Sequence, residues 1–433
     1  MPPKNCIIHA AAILADAETL ITDGALCLRD GKIAAVGPMN AMRRRYPAVS
    51  ICSAGQSLIT PGLINIHTHL ELGHLRGKIP SRHPDPIPFP DWVCQLFALT
   101  PPPELLPDVV AKSVYSGVEE CLQFGVTAVG DITRHPLLTR CALADSPLRG
   151  ISFGEITAMG KARHLLPERM AAAQAPIANT NSHLAVGLSP HAPYSVEGPA
   201  LQAIVDCAAT AHQPLAMHLA ELPDEADFLR DFSGPLGRTW AFRRMIDVLD
   251  DHIPTYAHGP VGWADQWGLL NHAQPLVLAH VNYASGDDIR RLAGRPHLSV
   301  AMCPRTRHYF GHDSISAHPC VAMLKAGIRV CLATDSLASS PDLNLLAEAA
   351  AAHRELPSLP FSTLFRMMTQ WPAEAFNLPS GRLIPGHFAD VAAYPLPDKP
   401  HGAEAAIADL IQRCPPASMV MIGSQVVSGK LDA

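Results

Sequence analysis

The first chemical signal in the chain is a pair of histidines one residue apart. His67 and His69 close the short apolar run Gly62–Ile66. In a β-strand, residues i and i+2 project to the same side, so the two imidazoles would point together at or just past the strand's end. Two neutral imidazoles held that way suit zinc, iron or nickel. Taken alone, such a pair is more often two ordinary histidines with hydrogen-bond partners. The question is whether the chain supplies further ligands.

The strand-like runs further along the chain carry candidates for them. Eight apolar runs of about five residues recur: Gly62–Ile66, Val126–Gly130, Gly150–Phe153, Leu184–Leu188, Pro214–Met217, Pro275–Ala279, Leu298–Met302 and Arg329–Ala333. Each is followed closely by polar or titratable residues. In order these are His67 and His69, Asp131, Glu155, His191 with Tyr194, His218 with Glu221, His280 with Asn282, Cys303 with Arg305, and Asp335. Helical periodicity fills the longer gaps, most clearly over Glu104–Phe124, Val196–Ala211, Gly286–Ala293 and Asp342–Glu355. Strands alternating with helices imply parallel βα units, and eight of them imply a closed (β/α)8 barrel, a TIM barrel, of the α/β class. The strand ends of such a barrel converge on one mouth, where chemistry is found. An open doubly wound sheet is the rival, but the Gly-rich phosphate loop it usually carries after its first strand is missing.

The two ends of the chain have another texture. Cys6–Ala15, Ala25–Arg29 and Ile33–Val36 read as strands, with turns at Asp23-Gly24 and Asp30-Gly31; Phe388–Tyr394 and Ser418–Val427 look similar. The expected organisation is a small β-sandwich domain formed by residues 1–60 and 383–433, with the barrel over residues 61–382.

The composition is compatible with a large buried core: 433 residues, 48% hydrophobic and 17% charged. The net charge of −6 and the lack of a basic block give nucleic-acid binding no electrostatic support. No apolar run approaches the roughly 20 residues of a membrane helix. The 11 cysteines are scattered, odd in number and without a C-x-x-C pair, which fits a reducing, cytoplasmic setting. The partner is expected to be a small molecule, with a homo-oligomer left open.

Together these residues resemble the amidohydrolase superfamily of metal-dependent hydrolases. The branch they are similar to holds S-adenosylhomocysteine/5′-methylthioadenosine, aminodeoxyfutalosine, cytosine and guanine deaminases and triazine hydrolases. The resemblance is carried by Pro61-Gly62 with His67-Thr68-His69, Pro190-His191-Ala192-Pro193-Tyr194, His218-Leu219-Ala220-Glu221, His280-Val281-Asn282, Cys303-Pro304-Arg305 and Thr334-Asp335-Ser336 through Ser339. Gly386–Asp390 resembles the family's return into the small domain. The chain departs from the pattern at Ala333, at Thr306-Arg307 and in the long Leu236–Gly268 connection; the last two touch loops that shape a substrate pocket.

The resemblance implies one divalent metal, zinc with iron as the alternative, held by His67, His69, His218 and Asp335. It implies a hydrolytic deaminase of an adenosine-like nucleoside with a modified 5′ position. Glu221 is then the catalytic acid that protonates the heterocycle, against the plain alternative of a first-turn helix carboxylate. His280 is either a further ligand or a residue orienting the attacking water, and the resemblance favours the second. Asp335 counts as catalytic as well as a ligand. The expected substrate-binding residues are His191, Trp92 as an aromatic wall, Glu120 on the ribose hydroxyls, and Arg305. Each has a plainer alternative: a loop-stabilising histidine, core packing, or for Arg305 an ion pair with Asp313. His308, His312 and His318 read as a solvated loop. Glu71 and Leu72 are where substrate contacts are expected to begin. No lysine follows the fourth strand to bridge two metals. The rival readings are hydrolysis of another bond on the same fold, such as a triazine carbon–chlorine bond or a cyclic amide, and a catalytically silent barrel.

Overall fold

The structure is a computed structural model that describes residues 5–81, 86–177, 183–242 and 256–431, with side chains at 239–242 left aside. Eight parallel strands run in sequence order around one sheet: Leu63–Thr68, Val126–Thr133, Arg149–Ile156, Leu184–Pro190, Leu215–Leu219, Leu276–His280, Leu298–Met302 and Arg329–Leu332. The last meets the first through a parallel bridge between Thr68 and Asp335. The Asp335 N–H donates to the His67 carbonyl at 3.2 Å and the Thr68 hydroxyl to the Asp335 carbonyl at 3.0 Å. Closure of the barrel and placement of two candidate ligands are therefore the same event.

Most strand residues are buried end to end. A parallel strand covered on both faces has no reason to alternate, so it reads as a continuous apolar run. The helices lie in the expected gaps. Leu106–Gln123 starts with Pro107 in its first turn and buries Val110, Val114, Val118 and Cys121, a stripe at helical spacing. Gly286–Leu292 is fixed by a capping box between Ser285 and Asp288. Among the described residues no helix is long and apolar enough to cross a membrane.

The chain ends build a second, mixed sheet. Its order is Gln425–Gly429, Met419–Ile422, Val391–Pro395, Ser57–Pro61, Cys6–Leu14, Leu20–Arg29 and Lys32–Pro38, with Ile51–Ser53 also paired to Cys6–Leu14. The chain steps from this sheet into the barrel at Gly62, where a Cβ would fall 2.2 Å from the Thr127 hydroxyl. Asp30 and Gly31 make the expected hairpin turn, both with positive φ, which matches the twist of the flanking strands.

The expected turn at Asp23-Gly24 is instead strand: Gly24 pairs with Ala10, and a Cβ there would lie 2.8 Å from Ile13. The reversal comes earlier, where the Asp16 carboxylate accepts the Glu18 and Thr19 N–H groups at 3.0 and 2.8 Å. Part of the long Leu236–Gly268 connection, residues 243–255, lies outside the described residues.

Candidate metal centre and active site

At the mouth of the barrel four side chains converge. His67 and His69 bring Nε2 to 3.6 Å from Asp335 Oδ1, and His69 Nε2 lies 3.3 Å from His218 Nε2. His67, His218 and His280 form a second grouping, with candidate ligand atoms within 4.8 Å of one another. His67 is 1% exposed, and neither of its ring nitrogens has a hydrogen-bond partner. A buried polar atom without a partner is costly, so the site is built for a group that supplies one.

The protonation states agree. Burial holds His69 well below the usual imidazole range, helped by His67, and brings His218 down to about 3. Neutral imidazoles offer lone pairs. Burial raises Asp335, but His67, His280 and His69 more than reverse this and keep the carboxylate ionised. Three imidazoles and a carboxylate fit a divalent cation with a position left open.

Neighbours fix each of these groups. The His218 Nδ1 lies 3.0 Å from the His191 carbonyl; donation there leaves Nε2 facing the cluster. Ser339 donates to Asp335 Oδ2 at 2.9 Å. Asp335 has φ 56°, and His280 and Val281 have φ 70° and 50°, left-handed values that non-glycine residues rarely hold. The His280 carbonyl meets His318 Nε2 at 2.8 Å. His318 and His312 are buried, unlike the solvated loop expected for them; only His308 is on the surface, paired with Asp313 at 2.8 Å. The reason is that the segment folds back under the sixth strand's end, with His312 on the Tyr283 hydroxyl at 2.8 Å.

Glu221 stands beside the cluster with Oε1 3.6 Å from His280 Nε2. Its other oxygen accepts from the Tyr194 hydroxyl at 2.9 Å, and its backbone carbonyl accepts from Asn282 at 3.0 Å. Burial, then Asp335 and Glu225, push its carboxyl well above the usual range, the direction that favours the protonated form.

Above these groups lies a cavity of about 250 Å³. Trp92 and His191 line it, as do Glu71 and Leu72. Trp92 packs on Phe89 and Phe310 with ring centroids 5.6 and 5.3 Å apart, forming an apolar wall. Two expected substrate contacts are elsewhere. Glu120 pairs with Arg76 and does not line the cavity. Its helix places it between that arginine and the Leu343 N–H, from which it accepts at 3.4 Å. Arg305 is held by Glu348 at 2.6 Å and Asp342 at 2.7 Å, not by Asp313, because the helix it opens packs against Leu345–Glu355. Tyr194 stands in the Pro190–Tyr194 motif and Glu155 among the polar residues that follow the strands, but neither residue's type nor spacing points to its place in the site. Arg134 and Arg169, which also line the cavity, carried no sequence signal.

Comparison with known proteins adds the following. Residues 58–427 match the model of the Amidohydrolase family, and residues 24–48 that of an imidazolonepropionase-like composite domain of bacteria. A 5-methylthioadenosine/S-adenosylhomocysteine deaminase of Nitratidesulfovibrio vulgaris is 29% identical over 408 residues, covering 91% of this chain and 84% of its own. Among solved structures, Helicobacter pylori aminofutalosine deaminase in complex with methylthio-coformycin superimposes with a TM-score of 0.82 at 20% identity, covering 98% of this chain and 100% of its own. An adenosine deaminase from Xanthomonas campestris with bound zinc follows at 0.76 and 19%, covering 99% and 94%. At these identities the structural likeness speaks for the fold.

Proposed function

The chain belongs to the amidohydrolase family, and from that premise we propose that it is a hydrolytic deaminase of an adenosine-like nucleoside. It is a hydrolase acting on carbon–nitrogen bonds: water replaces an amine on an aromatic ring and ammonia leaves. His67, His69, His218 and Asp335 would hold one divalent ion, zinc with iron as the alternative. When bound, such an ion lowers the pKa of a coordinated water towards neutrality and so supplies a nucleophile at pH 7.

The chain's own residues do the rest. Glu221 keeps its proton through burial and delivers it to a ring nitrogen, which makes the amine-bearing carbon electrophilic. Tyr194 holds one Glu221 oxygen at 2.9 Å, leaving the other toward His280. His280, fixed by His318 at its carbonyl, orients the attacking water. Trp92, Phe89 and Phe310 form an apolar wall for a flat heterocycle and exclude bulk water. His191 contacts the substrate from the opposite loop.

The observation that carries the reading is the buried Glu221 carboxyl, 3.6 Å from His280 and beside the ligand cluster, inside an aromatic cavity. The relative named for 5-methylthioadenosine and S-adenosylhomocysteine, and the aminofutalosine deaminase structure, support a 5′-modified nucleoside. The zinc of the Xanthomonas structure supports zinc. The eleven cysteines, all free, support a cytoplasmic setting, and the domain division at residues 1–60 with 383–433 and 61–382 belongs to the same reading. Ammonia release across a nucleoside panel, with metal supplied, tests it. Silence on every purine and pyrimidine would sink it, as would full activity in Glu221→Gln.

A further inference from the structure

We propose that Glu155 binds the sugar of the substrate, its carboxylate accepting hydrogen bonds from the vicinal ribose hydroxyls. The proposal rests on the nucleoside reading above and names a residue for it. Glu155 lies at the end of the third barrel strand, Arg149–Ile156, and lines the cavity. Its side chain is 6% exposed. Among the described residues no hydrogen bond reaches its carboxylate. The nearest charged groups are Arg134 Nε at 3.5 Å and His191 Nε2 at 3.9 Å.

That isolation sets Glu155 apart. Glu221 accepts from Tyr194, Asp335 from Ser339, Glu71 from Thr133 and the Arg134 N–H, and Glu225 from three backbone N–H groups. Each of these carboxylates is already occupied by the fold. A buried carboxylate without donors is unfavourable, and folds keep one where a ligand brings the donors. Arg134 does not serve as that donor. It is 40% exposed on its side chain and lies over the Phe97 ring at 4.9 Å, giving Glu155 charge compensation without a hydrogen bond.

Position selects the ligand group. His191 touches both sides: its ring lies 4.9 Å from that of His218, and its Nε2 approaches Glu155. A heterocycle seated at the ligand cluster and carried past His191 would bring its substituent to Glu155. Two oxygens of one carboxylate match two adjacent O–H donors. The role expected of the helix residue Glu120 thus passes to a residue at the end of a strand.

The test compares wild type, Glu155→Ala and Glu155→Gln on adenosine, 2′-deoxyadenosine, 3′-deoxyadenosine, 5′-methylthioadenosine and S-adenosylhomocysteine, reading kcat and KM by ammonia release. Glu155→Ala is expected to lower kcat/KM for the ribosides about 10- to 100-fold, mainly through KM, as loss of a charged hydrogen bond does. The deoxy substrates, already lacking a donor, should lose much less, and Gln should recover part of the loss. An equal loss on ribosides and deoxyribosides, or none, overturns the proposal. So does a loss confined to S-adenosylhomocysteine, which would make Glu155 a reader of its ammonium group. Turnover of any nucleoside by the wild type keeps the deaminase reading whatever Glu155 does; no turnover sinks both.

Discussion

Removing the Glu225 carboxylate should unseat Glu221 without touching it. Glu225 is 1% exposed. Its Oε2 accepts the Ala220 N–H at 2.9 Å, and its Oε1 the Glu221 and Leu222 N–H groups at 2.6 and 2.9 Å. These bonds hold the turn that follows the fifth strand, in which Ala220 has φ 49°. A left-handed residue with a Cβ carries about 1–2 kcal/mol of strain, so the turn needs a tether. Glu225→Ala leaves three buried donors unpaired. At about 1–3 kcal/mol each the ceiling is about 9 kcal/mol, and water entering the vacated space brings the expected loss of stability to about 3–5 kcal/mol. Glu225→Gln can keep its amide oxygen on Glu221 and Leu222 and lose only the Ala220 bond, for about 1–3 kcal/mol. The assay is urea unfolding of both variants alongside kcat on the best nucleoside. The alanine variant should lose kcat at least about tenfold, since Glu221 would no longer be held against Tyr194. A Glu225→Ala protein with wild-type stability and kcat, or a Gln variant as damaged as the Ala variant, would refute the argument.

Three further outcomes are expected. Arg305→Ala leaves Glu348, 0% exposed, as an unpaired buried charge, so it should cost about 3–5 kcal/mol of stability while KM stays unchanged; a raised KM on an equally stable protein would return Arg305 to the substrate. Chelation should abolish activity and lower the melting temperature, and zinc at about 1,000 times its Kd should restore about 4 kcal/mol; a chelated protein with unaltered melting would mean the cluster holds no metal. Acid should destabilise the metal-free protein through its buried histidines. Burial lowers His318 to about 3 and His312 to about 4. A depressed histidine gives stability that is full above the unfolded value near 6.5 and is lost as pH falls toward the folded value, each such group contributing up to about 1.4 kcal/mol per pH unit. His318→Gln should flatten that slope between pH 6.5 and 4, and an unchanged slope in urea titrations would contradict it.

The barrel was legible because its strands are covered on both faces. Leu298–Met302 was found to the residue, and the other seven strands were located with only their ends shifted. Continuous apolar runs separated by helical stripes have few other solutions. The Asp23-Gly24 turn failed because a glycine pair signals either a turn or a close approach, and only the packing of Ile13 against Gly24 decides between them. Glu120 failed for a related reason. Helical periodicity tells which residues share a face, but the rotation of that face about the barrel is set by packing from Val110 to Cys121, which pointed Glu120 toward Arg76.

What the sequence could not carry is the work done by residues that touch one another from distant strands. Spacing within a run located His67 and His69, but the strained backbone at Ala220 has no signature in its residue type, and those at Asp335 and His280 have only the mild left-handed preference of Asp and His. They persist because other segments hold them: the Asp335 N–H on the His67 carbonyl, His318 on the His280 carbonyl, Glu225 on the turn after Leu219. Each tether is itself an ordinary-looking polar residue or peptide bond. Left-handed non-glycine residues are expensive, and four of them, Ala220, His280, Val281 and Asp335, lie at the ends of three strands at the mouth where the ligand cluster lies. The barrel's bottom is tied to the small sheet by a buried ion pair instead, Arg149 with Asp390 at 2.7 Å. Left-handed backbone at the ends of three strands, each held by a hydrogen bond with another segment, marks the chemical face of this barrel.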